Sequence, residues 1–221
     1  MKKMPILALL LVMAVSLFAQ AENKPEITQP SEALAALQLA NNLARFGYAT
    51  ESASALIGAA EIMVQVQTQA LAAQAERSGT GQAPAAEQEY NPATLLADGK
   101  RLAGNDRTLI AWADEVLRVM NTRTRGAVGG PRAGWDVIRN REDITFRIEF
   151  RANQLAEVLV VGDGSTILDI FIYDRNGNLV TRTDVYTSDA YIAWRPSYTG
   201  IYQVVVRNWG TRNNIFEIFT N

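Results

Sequence analysis

A change of hydrophobic period near the middle of the chain restricts the fold more than any other feature. From Ser31 to Met120 the sequence is rich in Ala and Leu at helical spacing, and from Asp143 onward β-branched and aromatic residues alternate with polar ones. A pattern of period 3.6 does not sit as a strand, nor a pattern of period two as a helix. Two parts of different class are therefore expected. These are an all-α part over 22–124, a Gly/Arg-rich connector over 125–142 and an antiparallel β-sandwich over 143–221.

The extreme N-terminus belongs to neither part. Lys2 and Lys3 precede an apolar run from Pro5 to Phe18, and Ala19-Gln20-Ala21 places small residues where a signal peptidase requires them. Residues 1–21 are expected to be a cleaved export signal, which sends the protein to the periplasm or the exterior. The run is shorter than the ~20 apolar residues that a membrane-spanning helix needs, so no integral anchor is expected after cleavage. Removing the signal leaves 19 basic against 23 acidic side chains, a formal charge of −4, which argues against nucleic acid as a partner. With no cysteine in the chain, the fold must stand on burial alone.

Within the first half, Ser31 offers a cap to a helix carrying Leu34, Leu37, Leu39, Leu43 and Phe46, with Gly47 as its stop. A second helix is expected from Thr50 or Ser52 through Leu56, Ile57, Ala60, Met63, Val64 and Leu71, its alanines allowing close approach in a hairpin. Gly58 weakens it only modestly. Residues near 76–90 lack periodicity and predict a mobile linker. Asn91-Pro92 then starts a third helix through Leu95, Leu96 and Leu102, and Asp106 caps a fourth through Trp112, Ala113 and Val116. No internal copy supports a helical repeat, which leaves a compact bundle.

In the second half, Ile144, Phe146, Ile148 and Phe150 alternate with Thr145, Arg147, Glu149 and Arg151, the signature of a sheet with one buried face. Six further strands follow, around 158–161, 168–173, 179–181, 191–194, 201–206 and 215–219. Seven short strands separated by turn residues predict the sandwich. The succession Gly162-Asp163-Gly164-Ser165-Thr166-Ile167-Leu168-Asp169 through Asp174-Arg175-Asn176-Gly177-Asn178, followed by Trp194-Arg195-Pro196 and Gly200-Ile201-Tyr202-Gln203-Val204, resembles bacterial pre-peptidase C-terminal domains. The resemblance spans about the last 80 residues. It implies a jelly-roll-like accessory module of an exported protein, non-catalytic, with calcium or extracellular polymers as ligands in some relatives.

Candidate site residues follow from these segments. Asp163, Asp169, Asp174, Asn176 and Asn178 are hard oxygen donors close in sequence, the type of ligand that Ca²⁺ takes. Relatives often carry acidic residues where this chain has Ser165 and Ile167, and Asn176-Gly177 also reads as an ordinary type I′ turn flanked by turn-satisfying Asp and Asn. Trp194 and Tyr198 are candidates for stacking on sugar or a partner, with burial in the core as the alternative. Arg125 and Arg132, in the glycine-rich segment between the halves, could form a docking strip for an acidic partner or an anionic lipid surface, or a solvated connector.

The same composition removes most catalytic classes. With no histidine and no cysteine there is no Ser-His-Asp triad, histidine-ligated zinc or thiol nucleophile. Neither mature lysine, Lys24 nor Lys100, sits in a nucleophile motif. The expectation is a non-enzymatic envelope protein. It would bind another exported protein through the helical half or the sandwich, or hold calcium or a glycan on the sandwich.

Overall fold

A computed structural model describes residues 29–79, 90–123 and 130–221. The export signal at 1–21, Arg125 and most of the linker expected near 76–90 lie outside the described residues. Four helices precede the sandwich: α1 (Glu32–Ala49), α2 (Ala53–Val66), α3 (Pro92–Ala103) and α4 (Arg107–Arg123). The anticipated caps are present at α3 and α4. Asn91 Oδ1 accepts from the Thr94 N–H at 2.9 Å, and Asp106 Oδ1 accepts from Thr108 and Leu109. Ser31 differs, since its side chain makes no cap bond and its backbone N–H instead donates to Glu157 Oε1 of the sandwich at 2.8 Å.

Two helix ends depart from expectation. Gly47 does not stop α1, which continues to Ala49; a Cβ at this position would lie 2.5 Å from Leu56 Cδ2, so the glycine is there to let the hairpin close. The second helix ends at Val66 rather than Leu71. Gln67 turns the chain with φ of 56°, and Gln69–Ala70 forms a short strand, β1.

The remaining strands are β2 (Ala75–Arg77), β3 (Arg132–Ile138), β4 (Asp143–Phe150), β5 (Ala156–Gly162), β6 (Leu168–Tyr173), β7 (Leu179–Arg182), β8 (Asp189–Trp194), β9 (Gly200–Asn208) and β10 (Asn214–Thr220). One sheet runs β1-β3-β10-β5-β8 and the other β2-β4-β9-β6-β7. All pairings are antiparallel except β1 with β3. Strands β3 to β10 thus form two interleaved four-stranded sheets in jelly-roll order, with β1 and β2 added at the edges.

Both additions correct the boundaries read from sequence. The sandwich begins at Arg132, inside the expected connector, because Gly134 and the exposed Trp135 hide the alternation of β3. At the start of the expected linker, β2 pairs with β4, and Arg77 is held beneath the sheet edge. It donates to Val137 O at 3.0 Å and Glu142 Oε2 at 2.9 Å, and also pairs with Asp136.

The helical part is a third layer rather than a separate body. Val158 and Val160 of β5 face the sandwich core with Ile144, Phe146, Ile170, Tyr202 and Ile218. Leu159 and Val161 of the same strand, with Phe219, face the helices and pack with Leu34, Leu37, Leu56 and Leu95. The uninterrupted apolar run of β5 follows from burial on both faces. The β3-β10-β5-β8 sheet is therefore covered on its outer side, whereas the β4-β9-β6-β7 sheet presents Arg147, Gln203 and other polar residues outward.

Candidate functional site

On the uncovered sheet, residues facing outward come into line across three strands. The register places Asp143 of β4 opposite Arg207 of β9, and Arg207 opposite Asp169 of β6. Arg207 donates from Nε and Nη2 to the two carboxylate oxygens of Asp143 at 2.7 and 2.6 Å. These bonds and the carboxylate charge hold its basicity above the ordinary value against the opposing pull of desolvation. The guanidinium is thereby fixed between two rings, 4.6 Å from the Phe171 centroid and 5.1 Å from that of Trp209. Phe171 in turn stacks with Tyr173 at 6.4 Å.

Trp209 sits on the turn after β9, and the turn is rigidly built. Asn208 is buried; its amide donates to Arg139 O and Arg212 O, and its Oδ1 accepts from Gly210 N–H. A Cβ at Gly210 would approach Thr166 Cγ2 to 2.3 Å, so only glycine lets the chain pass there. The indole is oriented from below by Asp169, which is 7% exposed. Asp169 Oδ2 accepts from Trp209 Nε1 at 2.7 Å, while Oδ1 accepts from the Thr183 hydroxyl at 2.9 Å and from Val185 N–H at 3.4 Å.

Trp209 remains 53% exposed, and a second projecting ring, Tyr186, is 83% exposed. Both line a groove of about 300 Å³, together with Asp169, Phe171, Arg182 and Asp184 among others. Arg182 and Asp184 are exposed and make no ion pair or side-chain hydrogen bond among the described residues. The groove therefore offers two apolar faces, one free cation and one free carboxylate on a floor whose own polar groups are satisfied.

The residues singled out from sequence are placed otherwise. Asp163 Oδ1 accepts from Ser165 N–H and its Oδ2 from Ile215 N–H, at one end of the sandwich. Asp174 caps the β6–β7 hairpin, accepting from Asn176 N–H, Asn178 N–H and the Asn178 amide, and Gly177 at φ of 81° completes the turn. These bonds hold the Asp174 carboxyl below its usual range. The whole of β6 separates Asp163 from Asp174, about 20 Å at strand rise, so the five oxygen donors do not converge. Among the described residues no group of three or more acidic, histidine or cysteine side chains could hold a metal ion.

Trp194 is 8% exposed and packs edge-on against Phe150 at 4.8 Å and Tyr202 at 6.1 Å. Tyr198 stacks on Tyr202 at 4.7 Å, and its hydroxyl accepts from Arg175 N–H. The alternation of β8 turns Trp194 into the core, while Tyr198 is half-buried with the Arg175 guanidinium 5.0 Å from its ring centroid. Arg132 lies at the far end of β4 from Trp209. It donates to Asn221 O at 2.8 Å in an open cleft of about 530 Å³ with Glu149, Arg151 and Gln154.

Sequence reasoning passed over Trp209, Tyr186, Arg182 and Asp184. A signal for them existed. Trp209 interrupts a polar turn immediately before Gly210, and Tyr186 stands in a stretch of Asp, Thr and Ser without any apolar periodic partner. A large ring without a core position to fill is a surface feature.

No protein-family model matches the chain, and no curated protein matches it significantly. Several solved structures resemble it, three of them over about two fifths of its length. PliG of Aeromonas hydrophila, a periplasmic inhibitor of g-type lysozyme, is 10% identical with a TM-score of 0.33, covering 41% of this chain and 84% of its own. The pre-peptidase C-terminal domain of collagenase from Bacillus anthracis is 12% identical with a TM-score of 0.28, over 42% and 90% of the two chains. The C-terminal CBM6 of LamC, a marine laminarinase from Zobellia galactanivorans, is 16% identical with a TM-score of 0.26, over 38% and 76%. At these scores none of the likenesses bears on what this chain binds.

Proposed function

We propose that the protein is an exported, non-catalytic binding module that holds a glycan on the uncovered sheet of its jelly roll. One observation carries the reading: two exposed rings, Trp209 and Tyr186, flank a groove whose free polar groups are one guanidinium and one carboxylate. Sugar rings present apolar C–H faces and equatorial hydroxyls, so they call for aromatic faces with a few charged hydrogen-bonding groups beside them. The groove volume, about 300 Å³, lies at the small end of ligand sites and suits a short stretch of an oligosaccharide.

Protein docking through the helical layer has less behind it. Leu39 and Phe46 are exposed on α1, but two side chains fall far short of the ~800 Å² that each partner contributes to a stable interface. Export rests on the N-terminal pattern at 1–21, and the non-catalytic reading on the lack of histidine and cysteine.

Binding of the full mature chain to a panel of neutral and acidic oligosaccharides, followed by the fluorescence of Trp209, tests the reading. At least one glycan should quench or shift the emission. Tyr186→Ala, at a site too exposed to affect folding, should weaken that glycan about tenfold or more. Absence of binding across the panel, or binding untouched by Tyr186→Ala, would refute it.

A further inference from the structure

Trp209 is shared by two clefts. Besides the Tyr186 groove, Trp209 lines a second open cleft of about 490 Å³, together with Ser78, Arg141, Asp143, Arg207 and Asn208. The charges there are not balanced in the same way. The Asp143 carboxylate is taken by Arg207 through both oxygens, and the Ser78 hydroxyl accepts from Asp143 N–H at 2.9 Å. Arg141 is exposed and carries no ion pair or side-chain hydrogen bond among the described residues. The second cleft thus holds one uncompensated cation and no free acid, whereas the first is lined by both a free Arg182 and a free Asp184.

Arg141 is also held in place from beneath. It occupies the β3–β4 turn at φ of 54°, followed by the buried Glu142. That carboxylate accepts from Arg139 N–H at 2.8 Å, from Arg139 Nη2 at 2.7 Å and from Arg77 Nη1 at 2.9 Å. The turn is pinned on both sides, so the guanidinium is offered from a rigid base, which lowers the ordering cost of using it.

We infer that the ligand is an acidic oligosaccharide that straddles Trp209, with one ring in the Tyr186 groove and a neighbouring ring presenting a carboxylate to Arg141. The inference rests on the glycan reading and extends it to a substrate class. A planar guanidinium without a partner matches a carboxylate by paired hydrogen bonds. A neutral sugar would leave Arg141 without a charge partner.

The test compares cellotetraose with its tetrauronate, in which each C6 hydroxymethyl is oxidised to a carboxylate, so that the two probes share one backbone. Affinities are measured on the full mature chain by titration calorimetry at low salt and at about 1 M salt, where screening shrinks to ~3 Å. The tetrauronate should bind about fivefold more tightly at low salt, the upper range for an exposed ion pair. That preference should fade at high salt. Arg141→Gln should abolish it, bringing the tetrauronate down to the affinity of cellotetraose. Equal affinities, or a preference that survives Arg141→Gln, would overturn the acidic assignment and leave the glycan groove intact. Failure of both probes to bind while a neutral glycan of the panel binds would overturn the acidic assignment alone, and failure of the panel as well would overturn the two readings together.

Discussion

The closest packing in the helical layer lends itself to a paired perturbation, because two glycines face opposite situations. Replacing a helical glycine by alanine removes backbone entropy from the unfolded chain and gains up to ~1 kcal/mol. At Gly47 the new methyl would lie 2.5 Å from Leu56 Cδ2, 2.9 Å from its Cγ and 3.1 Å from its backbone nitrogen. Leu56 is wholly buried among Leu34, Leu37 and Leu95 and cannot swing away without disturbing the core. Overpacking of this kind costs about 1–3 kcal/mol, which exceeds the propensity gain. Gly47→Ala is therefore expected to lose about 1–2 kcal/mol, or roughly 3–6 °C in Tm for a chain of this size. At Gly58 the corresponding methyl meets Leu43 Cδ2 at 3.4 Å and Trp112 Cη2 at 3.5 Å, ordinary contacts, and Gly58→Ala should gain about 0.5–1 kcal/mol. Urea unfolding followed by circular dichroism, with equal slopes in both variants, measures the difference. Gly47→Ala at or above wild-type stability, or Gly58→Ala falling below Gly47→Ala, would show that the helices are not in contact at Gly47 and Leu56 as described.

Two further outcomes concern the polar groups. Burial pushes the Glu142 carboxyl up, but the Arg139 hydrogen bonds and the charges of Arg77 and Arg139 outweigh it and hold the group below its usual range. Its stabilising contribution is therefore complete above the unfolded value of about 4.3 and is lost as pH falls through the lower folded value. Glu142→Ala should cost about 2 kcal/mol at pH 7 by taking a charged hydrogen-bond partner from both Arg139 and the half-buried Arg77, and should flatten the acid limb of a stability-against-pH curve; an unchanged limb would count against the network. Asp169→Ala should free the Trp209 indole N–H, seen as faster solvent exchange of one of the four indole proton signals, and should weaken glycan binding while Trp194 stays protected. Unaltered exchange at Trp209 would mean that Asp169 does not orient the ring.

How far the fold was legible depended on whether a strand had one wet face. In β4 the alternation from Ile144 to Phe150 is clean because its outer side meets solvent, and all seven strands anticipated from 144 onward are present. In β3, Gly134 lies against Leu71 and Trp135 lies outward, so no period of two survives and the strand passed for a connector. Arg77 and Glu142 carry the letters of a solvated segment, yet their pairing lets Glu142 be buried and Arg77 half-buried, a pairing that no local window displays. The candidate site was less legible still. Asp169 was noticed as an oxygen donor, and it does act through its oxygens, but on Thr183, Val185 and Trp209 rather than on a cation. Only the β6–β9 register brings Asp169 beside the turn that bears Trp209.

The contrast between β5 and β9 explains why the candidate site lies where it does. Strand β5 is apolar at every position from Ala156 to Gly162 apart from Glu157, and even Glu157 is consumed by the Ser31 N–H, the Tyr191 hydroxyl and the Asn221 amide. A strand of that kind demands a layer on both sides, and α1 and α2 supply the second. Strand β9 instead turns Gln203 and Arg207 outward and ends on Trp209, a pattern that no apolar helix face could cover without stranding a charge. The helical half thereby closes one sheet of a jelly roll that would otherwise expose Leu159, Val161 and Phe219. The opposite sheet is left open, and there Phe171 and Trp209 are already ordered by Asp143, Asp169 and Arg207.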